Sequence, residues 1–255
     1  MSALYKLTVT EAKLFLREPM AAIFGVLFPT GLLLGLGAIP ALREPSEEFD
    51  GARFVEFWAP TALVLGLGIV GLQHIPVVVA TYRERGILRR MSTTPVHPGT
   101  VLVAQLLVAL AAAVAAAALL IVSAWLVLDV PLPRHPFGFA AAFLLGFAAV
   151  LAIGMLIAAV APTSRVAAGL ATVAYMVTML AGGVFLPRFL LPEFLVRTGD
   201  FTPPGVQALL DGWSGDSAVA AAVGGSASPQ VVQLGIMALF AVVAGGAAAK
   251  LFRWE

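Results

Sequence analysis

Cysteine is absent from the 255 residues, which removes disulfides, thiolate metal sites, cysteine nucleophiles and palmitoylation at once. Charge is nearly as scarce, at 11% of residues against 60% apolar ones. A soluble core could not hide that much apolar surface, and with a mean hydropathy near +1 the chain reads as an integral membrane protein. No G-x-x-x-x-G-K-[ST] occurs, so no P-loop can cradle a nucleotide. H-E-x-x-H and G-x-S-x-G are missing too, and the three histidines, His74, His97 and His135, fall in different segments. A membrane enzyme would gather several acids or histidines at one depth. The apolar runs hold essentially no Asp, Glu, Lys or Arg and the two halves do not repeat, which speaks against an ion-coupled secondary transporter. The start, Met1 to Lys6, lacks a cleavage pattern before the first apolar run, so no removable signal peptide is expected.

What is present begins with a surface helix in residues 1–19. Lys6, Thr10, Lys13 and Arg17 recur at helical spacing on one stripe, with Leu4, Leu7, Leu14 and Phe15 opposite, the pattern of a helix lying flat on a bilayer. Glu11 falls in the apolar stripe. It is expected to be an ordinary solvated glutamate on a slightly rotated helix, or else to pair with a cation from a neighbouring segment or sit where the helix lifts off lipid. Six spans follow, at 20–39, 57–80, 100–128, 137–161, 166–184 and 231–251. Pro29 should kink the first, and Gly31 and Gly35 should admit another helix. The alanine-rich third is expected inside the bundle. His74, near the end of the second, is expected to bond a neighbouring helix rather than relay protons, since no carboxylate sits beside it at helical spacing. Trp254 reads as an interfacial anchor.

Residues 185–213 are strongly apolar yet broken by prolines and too short to cross. They read as two short re-entrant or interfacial helices, because Phe185, Phe189 and Phe201 would otherwise stand in water. Sorting charges by loop sets the orientation. Lys6, Lys13, Arg17, Arg83, Arg85, Arg89, Arg90, Arg165, Lys250 and Arg253, ten of the fifteen basic residues, share one side with only four of the fourteen acids. That side, with both termini, is expected to be cytoplasmic.

The densest charge is an island at 82–95, with four arginines at 83, 85, 89 and 90. Topology explains the arginines only. Read as one helix, it puts Glu84, Ile87, Leu88 and Met91 on one face and Arg85, Arg89 and Ser92 on another, an apolar ridge flanked by charge. Gly86 would permit close approach of a partner, and Pro95 with Pro98 would stop the helix.

From Glu84 to Pro95 the island resembles the E-R-G-x-L-x-R-[LM]-x-[ST]-[ST]-P stretch of the ABC-2 family of ATP-binding-cassette permeases, in the group of daunorubicin-type drug exporters and nodulation-factor exporters. The likeness extends to the surface helix, the six spans, the island between the second and third, and Gly183-x-Phe185-x-Pro187 followed by Leu191-Pro192. Thr202-Pro203-Pro204 stands where the family often has Asn-Pro. The resemblance implies an all-α membrane subunit in which residues 82–95 form a cytoplasmic coupling helix. Tyr82, Glu84, Arg85, Gly86, Ile87, Leu88, Arg89 and Met91 would dock on a separate nucleotide-binding ATPase subunit. ATP and Mg would be bound by that partner and no cofactor by this chain. Two ATPase copies and a second permease copy, identical or different, would complete the complex in the plasma membrane, with no nucleic acid involved. Gln105, Ser123, Thr172, Tyr175 and Thr178 are the polar groups expected along the pathway. Phe185, Pro187, Phe189 and Pro192 would form an outer gate. The expected cargo is a hydrophobic or amphiphilic small molecule moved outward. A lipid-linked glycan or glycolipid is the alternative, and a non-transport membrane enzyme or scaffold a more distant one.

Overall fold

A computed structural model describes residues 3–47, 51–91, 97, 99–185, 191–199, 201–214 and 229–252. Within them the chain forms ten helices that organise it: α1 Ala3–Arg17, α2 Ile23–Gly37, α3 Phe54–Glu84, α4 Ile87–Met91, α5 Gly99–Leu128, α6 Pro136–Val160, α7 Ser164–Ala181, α8 Glu193–Gly199, α9 Val206–Ser214 and α10 Gln230–Leu251. Five of these, α3, α5, α6, α7 and α10, are long and apolar enough to cross a membrane. The first predicted span differs from the others, since α2 is a shorter apolar helix.

Proline shapes both α2 and α3. Pro29 has no N–H to offer Gly25, and Pro76 none to offer Leu72. In each case a π turn lies just upstream, at Ile23–Leu27 and Ile69–His74, and the next free N–H reaches five residues back, from Phe28 to Ile23 and from Ile75 to Val70. The second predicted span is longer than 57–80 because α3 runs through both the π turn and Pro76 into the island.

α3 is the axis of the bundle. From Ala59 to Gly68 every residue is buried, as befits a helix apolar on all sides. Its glycines admit the neighbours. A Cβ on Gly66 would meet the Gly25 carbonyl and Pro29 of α2, and one on Gly68 would meet Met179 and Tyr175 of α7. On α6, a Cβ on Gly154 would strike the Gly71 carbonyl, and one on Gly146 the Pro204 carbonyl. At Gly66, Gly146 and Gly154 backbone approaches backbone because no side chain intervenes. Gly31 and Gly35 are different, since nothing lies within 4 Å of either Cβ position. The contact face of α2 is set by Gly25, Leu33 and Gly37 instead, so the expected glycine stripe points away from the packed bundle.

The alanine-rich α5 lies at the edge rather than inside. Ala104, Ala109, Ala113, Ala117 and Ala124 are buried, while Val114, Leu119, Val122 and Trp125 are exposed. Ala111, Ala115 and Ala118 are exposed as well, so alanine occurs on both the packed and the open face. Two short helices, α8 and α9, occupy part of 185–213. α9 is buried from Val206 to Leu210, its Trp213 indole N–H donates to the Pro131 carbonyl at 3.0 Å, and it packs against α6 and α3.

Candidate functional site: the island end of the bundle

The last turn of α3 carries Arg83 and Glu84, and these consecutive residues hold two different helix ends. The Arg83 guanidinium donates to the carbonyls of Ala159, at 3.3 Å, and Ala161, where α6 finishes. A cation at a helix C-terminus satisfies orphan carbonyls and meets the negative end of the dipole. The Glu84 carboxylate accepts from the backbone N–H of Ser164 at 3.0 Å, where α7 begins. One dipeptide thus ties α3 to the α6–α7 junction, with an anion on the positive end and a cation on the negative end.

The island is not one helix. α3 ends at Glu84, and Gly86 takes φ +66, a left-handed turn that reverses the chain before α4. No other part of this chain lies within 4 Å of a Cβ at Gly86, so within the chain its role is that backbone conformation. The turn redistributes the predicted ridge. Glu84 belongs to α3 and faces Ser164, Leu88 is buried at 1% exposure, and Ile87 and Met91 border a cavity beneath α1. Arg85, Arg89 and Arg90 stand exposed. Arg90 donates to the Arg85 carbonyl at 2.9 Å, bracing the turn. The uncharged members fold α4 inward, and the arginines form its outer face. Residues 92–95 and Pro98 lie outside the described residues.

α1 lies across the start of α5. Lys6, Lys13 and Arg17 are exposed, as the stripe predicts. Glu11 is not solvated, and among the described residues no cation pairs with it. At 5% exposure it accepts from the Tyr82 hydroxyl at 2.8 Å and from the Gln105 amide, which also lies 3.3 Å from the Tyr82 oxygen. Burial holds its carboxyl above the ordinary 4.5; the Tyr82 hydroxyl opposes that shift and the charge of Glu18 adds to it. His74 has a carboxylate close by after all: its Nδ1 lies 3.5 Å from Glu18, and the Phe15 ring meets it edge-on at 5.3 Å. A cavity of about 780 Å³ opens between α1, α3, α4 and the start of α5, and Glu11, His74, Tyr82 and Gln105 border it.

The ABC-2 type transporter family profile matches residues 2–203. The chain belongs to the ABC-2 type transporter family. It is therefore a multi-pass membrane permease, of a kind that pairs with an ATP-binding subunit and dimerises. Among curated proteins no match was found.

The residues suggested for the permease pathway do not converge. Gln105 belongs to the Glu11 cluster. Ser123 is half-buried 18 residues further along α5, a rise of about 27 Å. On α7, Thr172 is exposed, with its hydroxyl 3.5 Å from Gln73, whereas Tyr175 and Thr178 are buried. Tyr175 packs edge-on to Phe185 at 6.3 Å, joining one suggested pathway residue to one suggested gate residue. Pro192 is exposed just before α8. Pro187, Phe189 and Trp254 lie outside the described residues.

The Glu11 cluster and the Arg83 contacts were not foreseen. A lone acid in an apolar stripe and a lone amide in an alanine run were the available signals, but the partners of Glu11 sit 71 and 94 residues away.

Proposed function

We propose that this ABC-2 permease is the membrane subunit of an exporter of hydrophobic or amphiphilic small molecules. It works as a dimer of permeases with two copies of a separate cytoplasmic nucleotide-binding subunit, which binds ATP and Mg. In this reading α2 completes a set of six spans, both termini and the island are cytoplasmic, and the protein resides in the plasma membrane. Tyr82, Glu84, Arg85, Gly86, Ile87, Leu88, Arg89 and Met91 form the coupling element. Phe185 with Tyr175, together with Pro187, Phe189 and Pro192, belongs to the outer gate.

The observation that carries the reading is the double grip of Arg83 and Glu84 on the α6–α7 junction, directly behind the exposed arginines of the turn and α4. A push on Arg85 or Arg89 is passed to α3 through a five-residue lever, and from α3 to two further helices through charge-assisted bonds. Rigid helices joined at their ends move as a unit, which is what conversion of ATP binding into a change of access requires. The test is co-purification with an ATPase subunit and measurement of substrate-stimulated hydrolysis. Glu84→Ala combined with Arg85→Ala should abolish stimulation. Unchanged assembly and transport would refute the coupling role.

A lipid-linked glycan or glycolipid is the second reading. It is favoured by an apolar groove of about 500 Å³ between α5, α6 and α10, bordered by Leu102, Leu106, Leu151 and Met155, where an acyl or prenyl chain would lie. Stimulation of hydrolysis by polyprenyl-linked sugars, and not by amphiphilic drugs, would select it.

A further inference from the structure

We propose that the cavity beneath α1 binds an amphiphilic organic cation, with its ammonium group against the Glu11 carboxylate and its chain along the walls formed by α1 and α3. The inference goes beyond the exporter reading, because it concerns a ligand site on this chain alone, whether the ligand is cargo or a lipid.

The first ground is an imbalance of charge. Glu11 is buried, both of its hydrogen-bond donors are neutral, and the charge bearing on it most closely is another carboxylate, Glu18. Tyr82 and Gln105 both donate to Oε2. The position that a buried carboxylate normally gives to a cation is thus unfilled by any described residue around it. The second ground is room. About 780 Å³ lies directly beside this carboxylate, enough for an ammonium head and a short chain.

The third ground is the lining. Phe15 and Tyr82 present aromatic rings, whose faces attract cations, and Leu14, Val77, Val78 and Met91 supply apolar wall. Arg17 and Arg85 stand exposed at the mouth, where solvent and salt screen their repulsion. A phosphate or carboxylate next to the ammonium would meet them there. An ethanolamine phospholipid headgroup and a free amphiphilic amine share this chemistry.

The probe is octyltrimethylammonium, with octanesulfonate as a comparator of equal chain length and opposite charge. Equilibrium dialysis is run on the purified full-length permease in dodecyl maltoside, without an ATPase subunit. The expected result is one saturable site per chain, with the cation preferred at least tenfold. Glu11→Gln, which keeps an oxygen acceptor for Tyr82 and Gln105, should lower cation affinity at least tenfold and leave octanesulfonate unchanged. Val78→Trp, which fills the cavity from its apolar wall with Glu11 intact, should abolish cation binding. Added phosphatidylethanolamine should weaken probe binding if the headgroup is the natural occupant and leave it unchanged if a free amine is. Equal binding of cation and anion, or wild-type cation binding by either variant, would overturn the proposal. Because no transport is measured, that failure would leave the exporter reading standing, and loss of ATPase coupling would leave the site standing.

Discussion

The two ends of α3 use the same device to different effect. At one end Arg53 donates to the carbonyls of Leu128 and Asp129, at 3.1 and 2.8 Å, where α5 finishes. At the other end Arg83 donates to Ala159 and Ala161, where α6 finishes. Each arginine caps the C-terminus of a neighbour, α5 running antiparallel to α3 and α6 parallel to it, so the axis of the bundle is pinned top and bottom by guanidinium on helix C-termini. The difference lies in the accompanying acid. Glu56 turns back on Arg53 at 2.7 Å and closes a self-contained latch. Glu84 leaves Arg83 alone and takes the start of α7. One end fastens two helices, whereas the other joins three and stands beside the exposed arginines. A latch holds position, and a three-helix joint can transmit it.

The comparison can be broken in several places. The largest effect is expected between the two pins, where α3 and α6 touch backbone to backbone. Gly154→Ala puts a methyl into the Gly71 carbonyl and should cost about 3 kcal/mol in a detergent melt, since neither backbone can give way. Gly35→Ala, in open space on α2, should be neutral or slightly stabilising. Next come the pins themselves. Arg83→Met leaves two carbonyls on buried residues, Ala159 and Ala161, without their charged donor, and should cost about 2 kcal/mol. Arg53→Met should cost about half as much, because Asp129 is exposed and water replaces that bond. Equal losses would mean that the two ends do not differ.

Smaller in stability, and more telling about function, is the pair of acids. Glu56→Ala should leave ATPase stimulation unchanged, whereas Glu84→Ala should reduce it severalfold with little change in melting. The smallest effect is a pH dependence at Glu11. Its folded carboxyl holds a proton that the unfolded chain has already released, so stability falls as pH rises from the ordinary 4.5 through the raised value. Below that window Glu11 carries no buried charge, and above it the cost of burying the charge is complete. Melting of the wild type relative to Glu11→Gln should therefore decline with pH across the window.

Much of this was legible from pattern alone. The stripe of Lys6, Lys13 and Arg17 foretold a helix with an exposed cationic side, and apolar runs foretold the long helices, because a period of 3.6 and a length of about 20 residues are local properties. The island stood out by charge density. Its internal break did not, since a glycine can stand within a helix or at a left-handed turn, and only the path of the chain into α4 distinguishes the two. Gly35 and Gly154 likewise look alike in the sequence, and one faces open space while the other meets a carbonyl.

The sequence by itself determined what kind of molecule this is. With 60% apolar residues gathered in long runs, it had to be a helical membrane protein. The tertiary structure decided which side of the island is left exposed. Leu88 is drawn inward, Glu84 and Arg83 are committed to the α6–α7 junction, and Arg85, Arg89 and Arg90 are left outside. It also set Tyr82 and Gln105 against Glu11. Helical periodicity states which residues share a face; only packing states what that face meets, because contacts between residues 71 or 94 apart depend on how whole helices cross.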